Sequence, residues 1–297
     1  MANSQLHIPI IKVNASSSVI TADTLAIEEP LEIRLEYGKE GQRQVQNISV
    51  TMRTPGHDAE LANGFLFTEG IIKYADDIIS TAHCFIACAE NKENVIQVTL
   101  NPGIVPLLQN IGRNFYATSS CGVCGKGSID AIRTVSSFAV QAADEDTILT
   151  DVLYRLPIIL QRHQRVFADT GGLHASALFT TQGGLLLLRE DVGRHNALDK
   201  LIGAALGYGW LPLQQTVLLL SGRASFELVQ KAAMAGINII AAVGAPSSLA
   251  VQLAEEFNIT LIGFLRGERF NIYTAAHRVQ IPGNRIVDSS RVIVENI

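Results

Sequence analysis

Apolar and polar residues alternate along three segments of the N-terminal third of the chain. Residues 31–37, 45–52 and 95–100 show the period of two that is typical of a half-buried strand. Residues 57–67 lie between them and carry leucine, alanine and phenylalanine at helical spacing. An Asn-Pro-Gly turn at residues 101–103 follows the last strand. The pattern predicts a small α+β lobe.

The second half of the chain has a different hydrophobic pattern, in which short apolar runs alternate with amphipathic segments. Strands are predicted at residues 185–188, 217–220, 237–243 and 259–264, helices at 196–206, 225–235 and about 248–257, and closing strands at 270–274 and 285–294. Such alternation is typical of crossover units, so we expect a largely parallel sheet. The fold class is predicted to be α/β, with an N-terminal α+β lobe over residues 1–115 and a larger α/β domain over residues 116–297.

Composition and charge narrow the function classes that this chain could serve. The 297 residues are 47% hydrophobic and carry a net charge of −5, which disfavours general nucleic-acid binding because phosphate neutralisation needs a basic face. No apolar run reaches the ~18–20 residues of a membrane span. The first 18 residues lack the basic and apolar regions of an export signal, so a cytoplasmic location is expected. Because the chain as a whole is acidic, an anionic ligand would need a local binding site.

The most informative segment is a glycine-flanked cysteine pair at Cys121 and Cys124. Lys126 and a predicted helix start near Ser128 would both favour the thiolate, which is the nucleophilic form of cysteine. The flanking glycines give the loop the freedom to reach between two partners. These features predict a reactive pair of thiols at the start of the second domain.

Other uses of a Cys-x-x-Cys pair stay open at this point. A zinc site could recruit Cys84 and Cys88, although 32 residues separate the two pairs and common zinc ribbons use about 15–20. A thioredoxin-like pair would follow the first strand of a βαβ unit, whereas here a whole lobe precedes it. Zinc deaminases need a glutamate two residues after their histidine, and His174 is followed by Ala-Ser. No permanent metal is expected.

Three strand-to-helix junctions carry polar residues that a purely structural loop would not need. They lie at residues 189–196, 221–225 and 244–248. In an open α/β sheet such loops line the ligand crevice, helix N-termini offer free N–H groups, and Arg194 and Arg223 can bind phosphate oxygens. The junctions together predict a phosphorylated ligand.

Several ordered segments of the chain resemble the FdhD family of formate dehydrogenase accessory sulfurtransferases. They are residues 58–71, 120–125, 173–177, 190–200, 221–225, 262–264 and 273–274. The resemblance implies a deaminase-like three-layer α/β core without the zinc chemistry, in a cytoplasmic homodimer. It also implies that the protein takes persulfide sulfur from a cysteine desulfurase and passes it to Mo-bis(molybdopterin guanine dinucleotide), bound as a substrate, before that cofactor enters the formate dehydrogenase catalytic subunit.

The resemblance also assigns residue roles. It makes Cys121 the persulfide-bearing cysteine and Cys124 its partner. The expected cofactor-binding residues are His174, Asp191, Arg194, His195, Ser221, Arg223, Phe264, Leu265, Arg266, Gly267, Glu268 and Arg269. Some relatives have a cysteine and a Lys-Pro-Gly-Arg sequence where this chain has residues 265–269. The alternatives are a non-catalytic cofactor-binding chaperone for formate dehydrogenase and a thiol oxidoreductase.

Overall fold

A computed structural model describes residues 4–84, 92–106 and 146–283. The chain begins with a two-stranded antiparallel hairpin, β1 (Gln5–Asn14) and β2 (Ser17–Ala26). The patterning did not predict this hairpin, because many of its large apolar side chains face solvent rather than a core. Ile20, for example, is 78% exposed.

The N-terminal lobe is a four-stranded sheet covered by one helix, of which the helix and three strands were predicted and β5 was not. It is built from β3 (Glu29–Tyr37), β4 (Gln44–Arg53), α1 (Asp58–Thr68), β5 (Ile78–His83) and β6 (Val95–Leu100). The strand order is β4-β3-β6-β5, with β3 parallel to β6 and the other pairs antiparallel. Leu31, Ile33 and Leu35 all point into the core and are fully buried, so the alternation set the inward face of β3 correctly.

The larger domain contains the remaining elements that the structure describes. They are β7 (Ile148–Leu149), α2 (Thr150–His163), α3 (Arg165–Thr170), β8 (His174–Thr180), β9 (Leu185–Asp191), α4 (Arg194–Gly207), β10 (Thr216–Leu220), α5 (Phe226–Met234), β11 (Ile239–Ala242), α6 (Ser248–Glu256), β12 (Thr260–Arg266), β13 (Arg269–Thr274) and β14 (Val279–Gln280). Most predicted elements agree with these bounds to within about two residues. The predicted strand at residues 285–294 lies outside the described residues.

The main sheet has the strand order β13-β12-β11-β10-β8-β9. Only β10–β11 and β11–β12 are parallel pairs, so the expectation of a largely parallel sheet is wrong. The physical reason is that short connections join β8 to β9 and β12 to β13. At the first of these, Thr180 N–H donates to the Gly184 carbonyl (2.8 Å). A connection this short forces antiparallel pairing.

The sheet lies between two helical layers. Leu218, Leu220 and Ile240 point to the face covered by α4, α5 and α6, whereas Val217 and Leu219 point to the face covered by α2. This confirms the predicted three-layer α/β core with a smaller N-terminal lobe. Within the described residues, no helix combines the length and apolarity needed to cross a membrane.

The two lobes meet where α1 crosses α4. A β-carbon added at Gly64 would lie 1.9 Å from the Asp199 carbonyl oxygen, and one at Gly203 would lie 1.9 Å from the Glu60 carbonyl oxygen. The helix backbones are thus in direct contact, and one apolar cluster runs through both lobes. The predicted domain boundary between residues 115 and 116 lies outside the described residues and stays a prediction.

One predicted junction is shorter than expected, and the glycine-containing segment at residues 170–176 is mostly regular structure, since α3 ends at Thr170 and β8 begins at His174. In the junction predicted at residues 189–196, β9 extends to Asp191 and α4 begins at Arg194. The connection itself is therefore only Val192 and Gly193, and the polar residues of the junction lie at the end of β9 and the start of α4.

Candidate anion-binding site

Most of the predicted binding residues meet at one edge of the six-stranded sheet. The parallel strands β10, β11 and β12 end at this edge, while β8, which runs antiparallel to β10, begins there. His174 at the start of β8 pairs with Asp191 at the end of β9. Loops 221–225 and 244–247 follow β10 and β11 at the same edge. The topology therefore gathers residues that lie far apart in the sequence.

Three glycines allow these loops to pack closely. A β-carbon at Gly222 would lie 3.3 Å from His174 Nδ1, and one at Gly244 would lie 2.9 Å from the Gly222 carbonyl oxygen. One at Gly263, on β12, would lie 2.8 Å from Pro246 Cδ. A side chain at Gly244 or Gly263 would push the neighbouring loops apart, and one at Gly222 would crowd the His174 ring.

Ser221 ties the loop after β10 to the start of β8. Its Oγ accepts a hydrogen bond from Ala175 N–H (2.8 Å), and its own N–H donates to the Ala175 carbonyl (3.0 Å). The hydroxyl is thus used within the protein and places the following residues, Gly222 and Arg223.

Two arginines face this edge without a carboxylate partner among residues 4–84, 92–106 and 146–283. Arg194 is the first residue of α4, and its Nε is buried with no hydrogen-bond acceptor among the residues that the structure describes. Arg223 is exposed in the loop after β10. Burial lowers the pKa of His174 below its usual value, and the charges of Arg194 and Arg223 lower it further. The site thus combines two cations with an imidazole that is neutral at pH 7, which suits a phosphate oxygen.

Asp191 lies behind these cations and does not reach solvent. It is fully buried, and its Oδ2 forms an ion pair with Lys200 Nζ (2.7 Å) and accepts from Thr54 N–H (3.1 Å). Its Oδ1 accepts from Gly193 N–H (2.8 Å). Asp191 therefore holds the connection that leads to Arg194.

His195 connects α4 to α5 beneath the same edge. Its Nε2 lies 3.2 Å from Ser225 Oγ and 3.4 Å from Glu227 Oε2. Ser225 is the residue before α5, so this contact brings the N-termini of two helices together. N-terminal N–H groups of helices favour anions.

The predicted segment 264–269 covers the end of β12 and the turn into β13. Phe264 has a left-handed backbone (φ 56°), donates its N–H to the Gly244 carbonyl (3.0 Å) and exposes its ring. Arg266 is also exposed and donates from Nε to the Val243 carbonyl (3.1 Å). Gly267 and Glu268 form the exposed turn, Arg269 is exposed at the start of β13, and Leu265 is buried in the core. The structure thus brings Phe264 and Arg266 to the site's edge and turns Leu265 away.

Cys121 and Cys124 lie outside the described residues, as does Cys88. Cys84 is a half-buried free thiol, with its Sγ 3.6 Å from Gln97 Oε1. In the described ranges, no three His, Cys, Asp or Glu side chains come together as a potential metal site.

Sequence reasoning missed the residues that support the site from behind, above all Thr54 and the pairing role of Lys200. Lys200 is 1% exposed on α4. The sequence offers one indication of its role: Lys200 stands at a position where helical spacing predicts burial, and a buried lysine is expected to be paired with a carboxylate. Nothing in the local sequence indicates Thr54, because its contacts join it to residues more than 130 positions away.

Comparisons with known proteins agree on one family. A family model described as the FdhD/NarQ family matches residues 26–280. Proteins named "Sulfur carrier protein FdhD" are similar over most of their length. The one from Mycolicibacterium paratuberculosis is 53% identical over 89% of this chain and 95% of its own, and the one from Sulfurisphaera tokodaii is 42% identical over 92% and 98%.

A solved structure shares the fold. The crystal structure of a "putative formate dehydrogenase accessory protein" from Desulfotalea psychrophila matches with a TM-score of 0.68 and 22% sequence identity. The match covers 94% of this chain and all of the other. At this identity, the match supports the arrangement of the elements described above.

Proposed function

Because the chain belongs to the FdhD/NarQ family, we propose that it is a sulfurtransferase in formate dehydrogenase maturation. In this proposal it accepts persulfide sulfur from a cysteine desulfurase and passes it to Mo-bis(molybdopterin guanine dinucleotide). The relatives named sulfur carrier proteins support the carrier role. A cytoplasmic homodimer that meets the desulfurase and the formate dehydrogenase catalytic subunit in turn fits this role.

The observation that carries the proposal is the pair of arginines at the sheet edge. Arg194 and Arg223 lie around His174 and have no carboxylate partner in the described parts of the chain. The chain as a whole has a net charge of −5, so such a cationic site is unusual within it. A guanine dinucleotide cofactor carries pyrophosphate groups, and arginine with helix N-termini is a common way to bind them.

Phe264 adds a second feature that suits a nucleotide. Its ring is 42% exposed, and its N–H bonds to the loop after β11, which packs on Gly222. An exposed aromatic ring offers a stacking surface for a purine base. We propose that the phosphates lie near Arg194 and Arg223 and that the guanine stacks on Phe264.

The sulfur chemistry is assigned to Cys121 and Cys124. The Cys121 thiolate attacks the outer sulfur of the desulfurase persulfide, the S–S bond breaks, and the desulfurase leaves as a thiolate. Cys121 then carries the persulfide. Attack of the Cys124 thiolate on Cys121 Sγ forms a disulfide and releases hydrosulfide for the metal centre of the bound cofactor. The two electrons come from the cysteine pair, which an external thiol must reduce before the next cycle.

The test is the intact mass of the reduced protein after incubation with a cysteine desulfurase and free cysteine. Cys124→Ala and the double variant Cys84→Ala/Cys124→Ala, which lack the thiol that releases the sulfur, should gain sulfur that dithiothreitol removes, whereas Cys121→Ala should gain none. In wild type the gain should be smaller, because Cys124 converts the persulfide to a disulfide. Sulfur gain that persists in Cys121→Ala, or no gain in any form, would overturn the sulfurtransferase proposal.

A non-catalytic chaperone is separated from a sulfurtransferase by two readouts on Cys121→Ala. If the protein is a sulfurtransferase, Cys121→Ala should keep guanosine diphosphate (GDP) binding and lose the ability to activate formate dehydrogenase. A chaperone should keep both. The anion site itself supports either role, so the maturation assay decides between them.

A further inference from the structure

Thr54, the residue after β4 in the N-terminal lobe, contacts the segment that carries Arg194 through three of its atoms. Its N–H donates to Asp191 Oδ2 (3.1 Å), and its Oγ1 accepts from Val192 N–H (3.2 Å). Its carbonyl oxygen accepts from Lys200 Nζ (2.8 Å). Thr54 is only 3% exposed, so water does not compete for these bonds.

The same segment is held by further contacts on both sides. Asp191 Oδ1 accepts from Gly193 N–H (2.8 Å) and from Asn196 Nδ2 (3.2 Å). Asn196 in turn donates to the Met52 carbonyl on β4 (2.7 Å). The backbone from Asp191 to Gly193 is thus fixed by the N-terminal lobe, and Arg194 follows directly.

The position of the Arg194 guanidinium depends on this backbone, because few contacts of the side chain itself fix it in place. Its Nε is buried and lacks an acceptor among the residues that the structure describes. An arginine side chain has many rotamers, and ordering them on binding costs affinity. A fixed starting backbone at residues 192–193 limits where the guanidinium can point.

We propose that Thr54 is a positioning residue for the anion-binding site, acting from the other lobe through its hydroxyl on Val192. This inference rests on the proposed anion site and goes beyond it, since Thr54 does not touch the ligand. The N-terminal lobe thereby shapes ligand affinity in the larger domain.

Thr68 provides a matched control for this inference. It is also a buried threonine of the N-terminal lobe, and its Oγ1 donates to Asp199 (2.8 Å) and accepts from Lys231 Nζ (3.0 Å). Its contacts do not reach residues 191–194. Thr68→Val therefore removes a buried hydroxyl between the lobes without touching the connection to Arg194.

The experiment is calorimetric titration of the full-length protein with GDP. Thr54→Val should weaken GDP binding by about three- to tenfold, the ratio that corresponds to one net hydrogen bond. Thr54→Ser keeps the hydroxyl and should bind within about twofold of wild type. Thr68→Val should lower the melting temperature and leave GDP affinity unchanged.

A second readout needs no ligand. Hydrogen exchange of the backbone amides at residues 192–194 should become faster in Thr54→Val and stay slow in Thr54→Ser and Thr68→Val. Wild-type-like GDP affinity in Thr54→Val, or an equal loss in Thr68→Val, overturns the positioning role alone. If wild type itself binds no GDP, the anion site fails and the inference fails with it.

Discussion

Two buried lysine–aspartate pairs lie at the contact between the lobes, and each involves a threonine of the N-terminal lobe. One comprises Lys200, Asp191 and Thr54, and the other comprises Lys231, Asp199 and Thr68. The first pair also binds backbone N–H groups of the segment before Arg194. The second lies at the C-terminal end of α1 and binds side chains, including Glu69 (3.4 Å from Lys231 Nζ).

In our proposal, the Lys200–Asp191 group supports ligand binding as well as stability, whereas the Lys231–Asp199 group supports stability alone. Burial opposes the charge on Lys231, but the charges of Asp199, Glu69 and Glu227 together with the hydrogen bond to Asp199 outweigh it and raise the pKa of Lys231. Burial raises the pKa of Asp199. The two charges are thus tightly coupled, and the contacts described for them do not extend to the sheet edge that carries Arg194 and Arg223. Substitutions in it should change the free energy of unfolding without changing ligand affinity.

The largest effect is expected from Lys231→Met. Removing one partner leaves Asp199 buried and unpaired, which costs about 3–5 kcal/mol in other proteins. The free energy of unfolding, measured by denaturant titration, should fall by that amount, and GDP affinity of the folded variant should not change. The exposed Lys39→Met is the control and should be neutral. A loss below about 1 kcal/mol in Lys231→Met would contradict the importance of this pair.

The second-largest effect is expected at the crossing of α1 and α4, which both lysine–aspartate pairs flank. Gly64→Ala places a methyl group 1.9 Å from the Asp199 carbonyl oxygen, so the helices must separate. We expect a destabilisation of about 1–3 kcal/mol. Gly207→Ala, at the exposed end of α4 with nothing within 4 Å, should instead stabilise by up to about 1 kcal/mol. Equal thermal stability of the two variants would show that the crossing is looser than described.

A third ion pair, which joins Glu60 of the N-terminal lobe to Arg189 of the larger domain, predicts a pH effect. Burial disfavours the Glu60 carboxylate, but bonds from Arg189 and His57 outweigh this and lower its pKa from 4.5 to about 2. A lowered native pKa stabilises the fold above pH 4.5, and this stability is lost as the pH falls towards 2. In urea titrations, the advantage of wild type over Glu60→Gln should be constant above about pH 5 and shrink at lower pH.

The control for this prediction is Glu40→Gln, an exposed carboxylate in the β3–β4 turn. It should match wild type throughout the pH series. A wild-type advantage over Glu60→Gln that stays the same down to pH 3 would rule out a charged Glu60 as its source.

The smallest effect concerns His174. Its pKa lies below 6.5 in the free protein, mainly because of burial and then because of Arg194. A bound phosphate would raise this pKa, so GDP should bind several-fold more tightly as the pH falls from 7 to 5.5. His174→Gln should remove that part of the pH dependence in calorimetric titrations. An identical pH profile in the variant would place His174 outside the ligand's reach.

The sequence predicted the elements with strong periodicity and missed those without it. Leu31, Ile33 and Leu35 alternate and are buried, so β3 was predictable. Helix α2 was not predicted, and Pro157 lies inside it. The β1–β2 hairpin was also missed, because its exposed isoleucines and valines give no pattern that a core would explain.

The site was predictable as a set of residue types and not as an arrangement. Arg194 and Arg223 were identified by their positions before helices, and both reach the same sheet edge. Asp191 carries a polar side chain in the same motif, yet its nine-residue spacing to Lys200 did not reveal a buried ion pair. Contacts that join the two lobes, such as those of Thr54, depend on the tertiary fold.

We propose that the sheet edge binds the phosphates of a guanine nucleotide through Arg194 and Arg223. The most direct measurement is calorimetric titration with GDP of wild type, Arg194→Gln, Arg223→Gln and the control Arg155→Gln, an exposed arginine on α2. Each site variant should lose about tenfold or more in affinity, and the control should bind as wild type does. GDP binding that is unchanged in both site variants, or equally weakened in all three, would show that Arg194 and Arg223 do not hold the phosphates.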